Sequence, residues 1–467
     1  MNRILLRGAK VITMVRNRPD IERSDILIEK DQIIGIGKQL SEVNAEIIDL
    51  ENRIIIPGLI NSHLHTWQAG LRCIGADWTL LDYLSNLHGK IAKHYKPEDL
   101  HIAALYSSLN QINNGVTTLG DWCHNNRTPE HTDAAIAGLV ESGIRTVFFH
   151  GAPYAATDQI HPIAEIDRIM KSAIYSNNLF KIGMAILGPQ YSKAKVAVSD
   201  FQSAIERGII VSMHQSGGEP GEAWETVLNQ KLISPNTNIV HGVDISIRWL
   251  KILADHGATF SITPENELGQ GHGFPITGRL LQIGSAPSLG TDTDAVSPGE
   301  ILTSARIALA QQRGIDHEKH RTHKGISSPS PTITSKQALE WATVEGARAL
   351  GLNHVGRIER GMQADLTIID TRCLNLWPAF EPMAAVLHAN SANIEGVMIA
   401  GNWKKRNHEL VGIDIESIRN QLKQSGDRLF KHATQTGLLT NVKNRIVRKV
   451  VHHRLSKQKR QLGQNES

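Results

Sequence analysis

No apolar run in this chain approaches the ~20 residues needed to cross a bilayer, so no membrane span is expected. The opening residues, Met1-Asn-Arg-Ile-Leu-Leu-Arg-Gly, turn polar too soon for a secretion signal. Cysteine is scarce: Cys73, Cys123 and Cys373 are scattered and form no CxxC pair. That spacing argues against a disulfide framework and fits a reducing cytoplasm. There is no internal repeat, and no low-complexity block apart from the basic C-terminus. Residues 441–467 hold eight Lys/Arg and a single acid, Glu466. With the whole chain at +4 and this tail at +7, the rest carries −3, so net charge says nothing about a substrate. Such a tail suits nucleic acid or membrane. It lacks the interleaved aromatics of a nucleic-acid platform, and a solvated terminus is the expectation.

What remains is a chain of 467 residues, 40% hydrophobic and 21% charged, too long for one comfortable core. Up to about residue 56 it reads as short strands: Ala9–Met14, Asp25–Glu29 and Gln32–Gly37. From Leu59 strands alternate with helical patterns. The strand signals are the segment ending at His65, Gly115–Asp121, Ile144–His150, Lys181–Pro189, Gly208–His214, Asn238–His241, Ala258–Pro264 and Pro287–Asp292. Eight such repeats predict a (β/α)8 barrel. After a helical segment, Ser335–Leu350, strands return at Asp365–Asp370 and Gly396–Gly401, with a hairpin turn at Gly401-Asn402. The expected fold is α/β: a TIM barrel over 57–370 and a small discontinuous β-sandwich domain from 1–56 and 371–420. A helical, basic tail fills 421–467.

The stretch Ile54–Thr66 organises the rest. His63 and His65 stand two apart at a strand end, so their side chains share a face and can reach one point. Neutral imidazoles so placed suit a divalent metal, although a lone HxH is a weak signal. Three more barrel strands end in a metal-competent residue: His214 on the fifth, His241 on the sixth and Asp292 on the eighth. Barrel active sites form at these strand ends. Each residue alone is readily a core histidine or a turn aspartate, but five in one register suggest a mononuclear zinc or iron(II) site. The fourth strand ends Leu187-Gly188-Pro189, and its single lysine, Lys181, opens it, so no bridging lysine is placed for a second ion.

The motifs Pro57-Gly-Leu-Ile-Asn-Ser-His-Leu-His65, Gly115-Val-Thr-Thr, His214, His241, Leu289-Gly-Thr-Asp292, Ala342–Gly351 and Gly356–Asp370 together resemble the amidohydrolase superfamily. Leu71–Leu84 looks like the active-site loop of the branch containing cytosine and guanine deaminases, adenosylhomocysteine deaminases and triazine hydrolases. The resemblance implies one divalent ion, Zn2+ with Fe2+ as the alternative, held by His63, His65, His214 and Asp292. It also implies that His241 holds or polarises the nucleophilic water. Metal coordination lowers the pKa of water towards neutrality. Asp292 can then take the first proton, and attack on an sp² carbon expels the leaving group.

One departure stands out. That branch usually carries a Glu three residues after the fifth-strand His, and here Gly217 stands there. Glu219, Glu265, Glu267 and His272 are candidates for the missing acid–base role; each is also readily a turn cap. Glu265, nearer the strand end, is expected to be the acid–base group, with Glu267 and His272 contacting substrate. Trp67, Gln68 and Trp78 can orient a flat heterocycle, or simply pack the loop. The expected function is hydrolysis of a non-peptide carbon–nitrogen bond, with deamination of a nitrogen heterocycle the default. Gly217 also admits a hydrolase or ring-closing cyclase acting on a guanidino, ureido or lactam substrate. A catalytically inactive binding relative is the third possibility. The expected partner is a small-molecule substrate. Neither nucleic acid nor a membrane is expected, and a homo-oligomer is compatible with the sequence.

Overall fold

The computed structural model describes residues 3–41, 44–153 and 158–434. Eight parallel strands run in chain order: Leu59–Leu64, Val116–Cys123, Arg145–Gly151, Phe180–Ala185, Val211–Gln215, Thr237–His241, Thr259–Ile262 and Ser288–Leu289. Six of them are buried along their whole length (Leu59–Leu64, Val116–Cys123, Arg145–Gly151, Thr237–His241, Thr259–Ile262 and Ser288–Leu289). Strands covered on both faces need such continuous apolar or small residues. An isolated parallel bridge between Leu64 and Asp292 brings the last strand back to the first, so the barrel nearly closes. The eight strand signals therefore fall where expected, with ends shifted by a few residues.

Small polar side chains fill part of the barrel interior. Ser62 Oγ lies 3.0 Å from Ser261 Oγ and 2.9 Å from Ser288 Oγ. Asn238 donates to Ser261 Oγ at 3.0 Å and to Thr259 Oγ1 at 3.1 Å, and accepts from Ser212 at 3.1 Å. Buried polar groups paired this completely are inexpensive, and they fix the strands' relative rotation.

The second sheet has nine strands, drawn from both sides of the barrel segment. Arg3–Val11 pairs antiparallel with Glu22–Glu29. The other edge of Arg3–Val11 pairs parallel with Ala45–Asp49 along its first half and with Arg53–Pro57 at its end. Arg53–Pro57 continues antiparallel to Leu366–Asp370, and Ile394–Ile399 and Asn402–Arg406 follow as a hairpin turning at Ala400-Gly401. A separate core of Leu6, Val11, Ile26, Ile28, Ile55, Leu366, Ile368 and Met398 lies on this sheet. Arg145, at the start of the third barrel strand, ties the two bodies together. It donates to Asp365 at 2.8 and 3.0 Å, and Asp365 Oδ1 also accepts from Ala400 N at 2.7 Å. Both partners are almost wholly buried, so removing one would strand a charge at a cost of about 3–5 kcal/mol.

Two helical expectations need correction. Ser335–Leu350 is not one helix: it breaks at Ala342-Thr343 into Ser335–Trp341 and Val344–Ala349. The helix Ile415–Thr434 crosses the expected boundary at 420 and packs on the barrel's Pro97–Asn113 helix. There Asp99 accepts from Ser425 Oγ at 2.6 Å and pairs with Arg428. The basic segment 441–467 lies outside the described residues. Among the described residues no helix is long and apolar enough to cross a membrane.

Candidate metal centre

His63 lies on the first barrel strand with His65 just beyond it; His214 lies on the fifth strand, His241 closes the sixth, and Asp292 follows the eighth. One ligand atom from each of His63, His65, His214 and Asp292 falls within 4.8 Å of all the others. His63 Nε2 and His65 Nε2 stand 3.2 and 3.3 Å from Asp292 Oδ1, and His63 Nε2 stands 3.3 Å from His214 Nε2. The set is buried, His214 partly so.

The donor chemistry of this set fits a divalent cation. His65 Nδ1 lies 2.6 Å from the Trp122 carbonyl, which can only accept, so Nδ1 carries the hydrogen and Nε2 is left with its lone pair. In the neutral ring that lone pair faces a carboxylate oxygen 3.3 Å away, a pairing that a divalent cation between them would satisfy. Backbone-held imidazoles of this kind are a recurrent support for metal ligands. Burial pulls the His63 pKa down to about 3 and that of His214 well below its ordinary value. Both are therefore neutral near pH 7, the form a ligand requires. Burial works against ionised Asp292, yet the adjoining imidazoles of His63 and His65 and the field of His241 hold its carboxyl well below the usual range.

His241 is anchored from behind. Its Nδ1 lies 3.2 Å from Glu267 Oε1 and 3.1 Å from Thr263 Oγ1, and Glu267 Oε1 also accepts from Thr263 N at 2.8 Å. Burial opposes charge on His241, but the Glu267 bond and the Asp292 and Glu267 carboxylates hold its pKa above the ordinary value. Nδ1 is thus committed, and the ring's other nitrogen is left for the cavity. Asp292 is aimed in a similar way: Asn266 Nδ2 donates to its Oδ2 at 2.9 Å.

A cavity of about 350 Å³ opens onto this ring. That volume suits a small organic molecule. Several expected residues fall elsewhere. Glu265 does not line the cavity; burial and the nearby Glu300 carboxylate raise its pKa. Glu267 lies fully buried behind His241 and does not line the cavity. Both sit on the helix Pro264–Gly269, where residues two apart point in nearly opposite directions. Glu219 accepts from Ser246 N at 2.9 Å and is likewise absent from the cavity wall. Trp67 is buried in the core against Tyr95 and His88. Gln68 is buried too, donating to Tyr83 Oη at 2.6 Å and accepting from Thr293. Trp78 packs over Gly75, where a Cβ would lie 2.9 Å from its ring. Of the expected substrate contacts, His272 alone lines the cavity, its ring 4.7 Å from that of His241.

The cavity wall also contains residues that sequence reasoning passed over. Trp122, near the end of the second strand, and His124, just beyond it, lie with ring centroids 5.7 and 4.3 Å from His65. They obey the same alternation that singled out His63 and His65. Tyr83, Leu84 and His88 come from the segment after the first strand, which docks on the seventh-strand loop through Leu80 N to Gln270 O at 3.0 Å. His161, Tyr191 and Asp200 complete the far wall.

Comparison with known proteins places this geometry. The model of the amidohydrolase family matches residues 54–404. A 5-methylthioadenosine/S-adenosylhomocysteine deaminase from Caldicellulosiruptor saccharolyticus is 25% identical over 441 residues, covering 90% of this chain and 97% of that one. One of the same name from Bacillus cereus is 26% identical, covering 88% and 96%. Among solved structures, an atrazine chlorohydrolase from Arthrobacter aurescens TC1 complexed with zinc superposes with a TM-score of 0.79 at 21% identity, over 91% of this chain and 100% of that one. An adenosine deaminase from Xanthomonas campestris with bound zinc gives 0.77 at 18% identity, over 92% and 98%. On the match over residues 54–404, the chain belongs to the amidohydrolase family.

Proposed function

We propose that this protein hydrolyses a carbon–nitrogen bond of a nitrogen heterocycle, releasing ammonia, with one zinc ion held by His63, His65, His214 and Asp292. The observation that carries the proposal is the ring of three imidazoles and a carboxylate facing a cavity of about 350 Å³. The names of the deaminase relatives support it. A zinc ion so held would lower the pKa of a water molecule enough to supply a nucleophile near neutral pH.

The chain's own residues do the rest. Asp292 Oδ1 faces the ligand ring and takes the proton that water gives up, while Asn266 keeps the carboxyl oriented through Oδ2. His241, backed by Glu267, has a free ring nitrogen at the cavity and serves as the second proton carrier, returning a proton to the departing amine. In balance, one water is consumed, the carbon–nitrogen bond is replaced by carbon–oxygen, and ammonia leaves. Trp122 and His124 wall the reacting end, and His272 flanks His241.

Ammonia release from purines, pyrimidines and triazines by the zinc-loaded protein tests this. Turnover of guanidino, ureido or lactam compounds with none of those rings would favour a second reading, a hydrolase or cyclase on such substrates. The observation favouring that reading is Gly217, together with the absence of Glu219, Glu265 and Glu267 from the cavity wall.

The same proposal places the enzyme in the cytoplasm, consistent with three free cysteines. It also includes self-association through Leu374, Trp377 and Phe380, exposed by 103, 57 and 92%. Light scattering that returns only the monomer mass would reject self-association.

A further inference from the structure

The cavity contains a second polar cluster, built on elements that hold none of the proposed ligands. Asp200 lies within the helix Ala194–Arg207, 3% exposed, with its carboxyl in the cavity wall. Its Oδ1 accepts from the His161 backbone N–H at 2.9 Å. His161 Nε2 stands 3.1 Å from Nδ1 of His150, on the third barrel strand. Burial pulls His161 and His150 down to about 3 and about 4, so both imidazoles are neutral near pH 7. The neighbouring lining is uncharged, with Ile160, Leu187 and Tyr191 and the neutral polar side chains of Gln159 and Ser216.

Two features set Asp200 apart. It forms no ion pair among the described residues, although it is buried more deeply than most of the paired carboxylates. The described residues lining the cavity also include no lysine or arginine. A buried carboxylate without a cation is costly unless something else answers its charge. Its bond to His161 N–H needs only a neutral acceptor, which Asn or Ser would supply without that cost. The group best able to answer the charge is a hydrogen-bond donor or cation entering the cavity. A phosphate or carboxylate in the same place would meet Asp200 with no lysine or arginine among the described lining residues to pair with.

We propose that Asp200 determines specificity by reading the part of the substrate remote from the hydrolysed carbon, and that this part carries an ammonium or hydroxyl donor and no phosphate or carboxylate. The proposal rests on the cavity being the substrate site of the amidohydrolase read above. It narrows the substrate class to neutral or cationic heterocycles with a donor-bearing arm.

The test uses the zinc-loaded full-length protein and isothermal titration. The probes are adenine and a diaminotriazine, each bearing a 2-aminoethyl, 2-hydroxyethyl or 2-carboxyethyl arm. In at least one ring series the aminoethyl form should bind most tightly, and the carboxyethyl form at least 10-fold more weakly than the hydroxyethyl form. Asp200→Asn, which keeps the acceptor for His161 N–H, should reduce the aminoethyl-to-carboxyethyl preference by 10-fold or more. The proposal is overturned if the carboxyethyl form binds as well as the others, if no arm-bearing probe binds, or if Asp200→Asn leaves the preference within about 3-fold. The affinity order in the unaltered protein decides the matter even if the variant folds poorly. Failure of the deaminase reading looks different: the probes bind in the expected order, and none releases ammonia.

Discussion

Asp200→Asn should make the folded protein more stable, and the gain should shrink as pH falls. Burial pushes the Asp200 carboxyl up from its ordinary 3.8 to about 6, against the smaller opposing effect of the His161 N–H bond. The folded chain therefore binds this proton more tightly than the unfolded chain does. Below pH 3.8 the group is neutral in both states and costs little. Between 3.8 and about 6 the folded state must give up a proton it holds tightly, and above 6 the full penalty is present. A gap of that size corresponds to roughly 3 kcal/mol at pH 7.5 and about 1 kcal/mol at pH 4.5. At 3% exposure, solvent screening removes little of it. Asparagine retains an oxygen for His161 N–H and carries no charge. With an unfolding entropy of about 2.1 cal/mol/K per residue, the Tm gain at pH 7.5 is roughly 3 °C. Thermal melts of the zinc-loaded protein and variant at the two pH values measure it. Equal Tm values at pH 7.5, or a loss of similar size at both pH values, would show that Asp200 serves the fold through its His161 bond alone. A gain would mean that the chain retains a destabilising charge, as proteins do where function requires it.

Four further outcomes follow from the site and the fold. His63→Ala and His214→Ala should each reduce zinc from about one equivalent to near none by elemental analysis, with activity lost in parallel; two equivalents in the unaltered protein would contradict a mononuclear site. Glu267→Gln should keep the metal and lower kcat by roughly 10²-fold with little change in KM, because it acts through His241, while Glu265→Gln should match the parent; the reverse pattern would restore Glu265 as the acid–base group. Limited proteolysis should not release residues 1–56 as a folded unit, since Arg53–Pro57 is paired with Leu366–Asp370. Removal of the chain beyond Thr440 should leave kcat within a few-fold, and a 10²-fold loss would assign the basic tail to closing the site.

The barrel was legible because its signals are local. Most strands are short apolar runs flanked by Gly or Pro, and the helices between them have their own pattern. The residues expected as ligands were legible for a related reason. In a strand, residues two apart share a face, so His63 and His65 converge whatever else the chain does. Trp122 and His124 follow the same rule at the next strand end. The sequence signal for that strand, Gly115–Asp121, stops short of both, whereas the strand runs to Cys123. The rule fails where the backbone changes type. Thr66–Leu71 winds into a 3-10 helix and turns Trp67 and Gln68 inward. Pro264–Gly269 winds into an α-helix, which separates Glu265 from Glu267 and sends the latter behind His241. Asp200 and His161 meet across 39 residues through a side-chain-to-backbone bond, and no spacing encodes such a contact.

Backbone conformation at the strand ends is the other thing that sequence does not show. His241 and Asp292 adopt φ of 68° and 60°, in the left-handed region that residues with a Cβ seldom occupy. Each costs on the order of 1–3 kcal/mol and persists only where the surroundings over-determine it. For Asp292 those surroundings are the barrel's closure. His65 N donates to Asp292 O at 2.7 Å, and Asp292 N donates to His63 O at 3.1 Å. The backbone of His63 and His65 therefore holds Asp292 in its unusual conformation. For His241 the constraint is the side chain, tied at Nδ1 to Glu267 and Thr263. The Leu64–Asp292 bridge that closes the barrel therefore also brings Asp292 to His63 and His65, the proposed ligands. A proposed ligand set tied to the barrel's own closure is positioned by the fold itself, as preorganised catalysis requires.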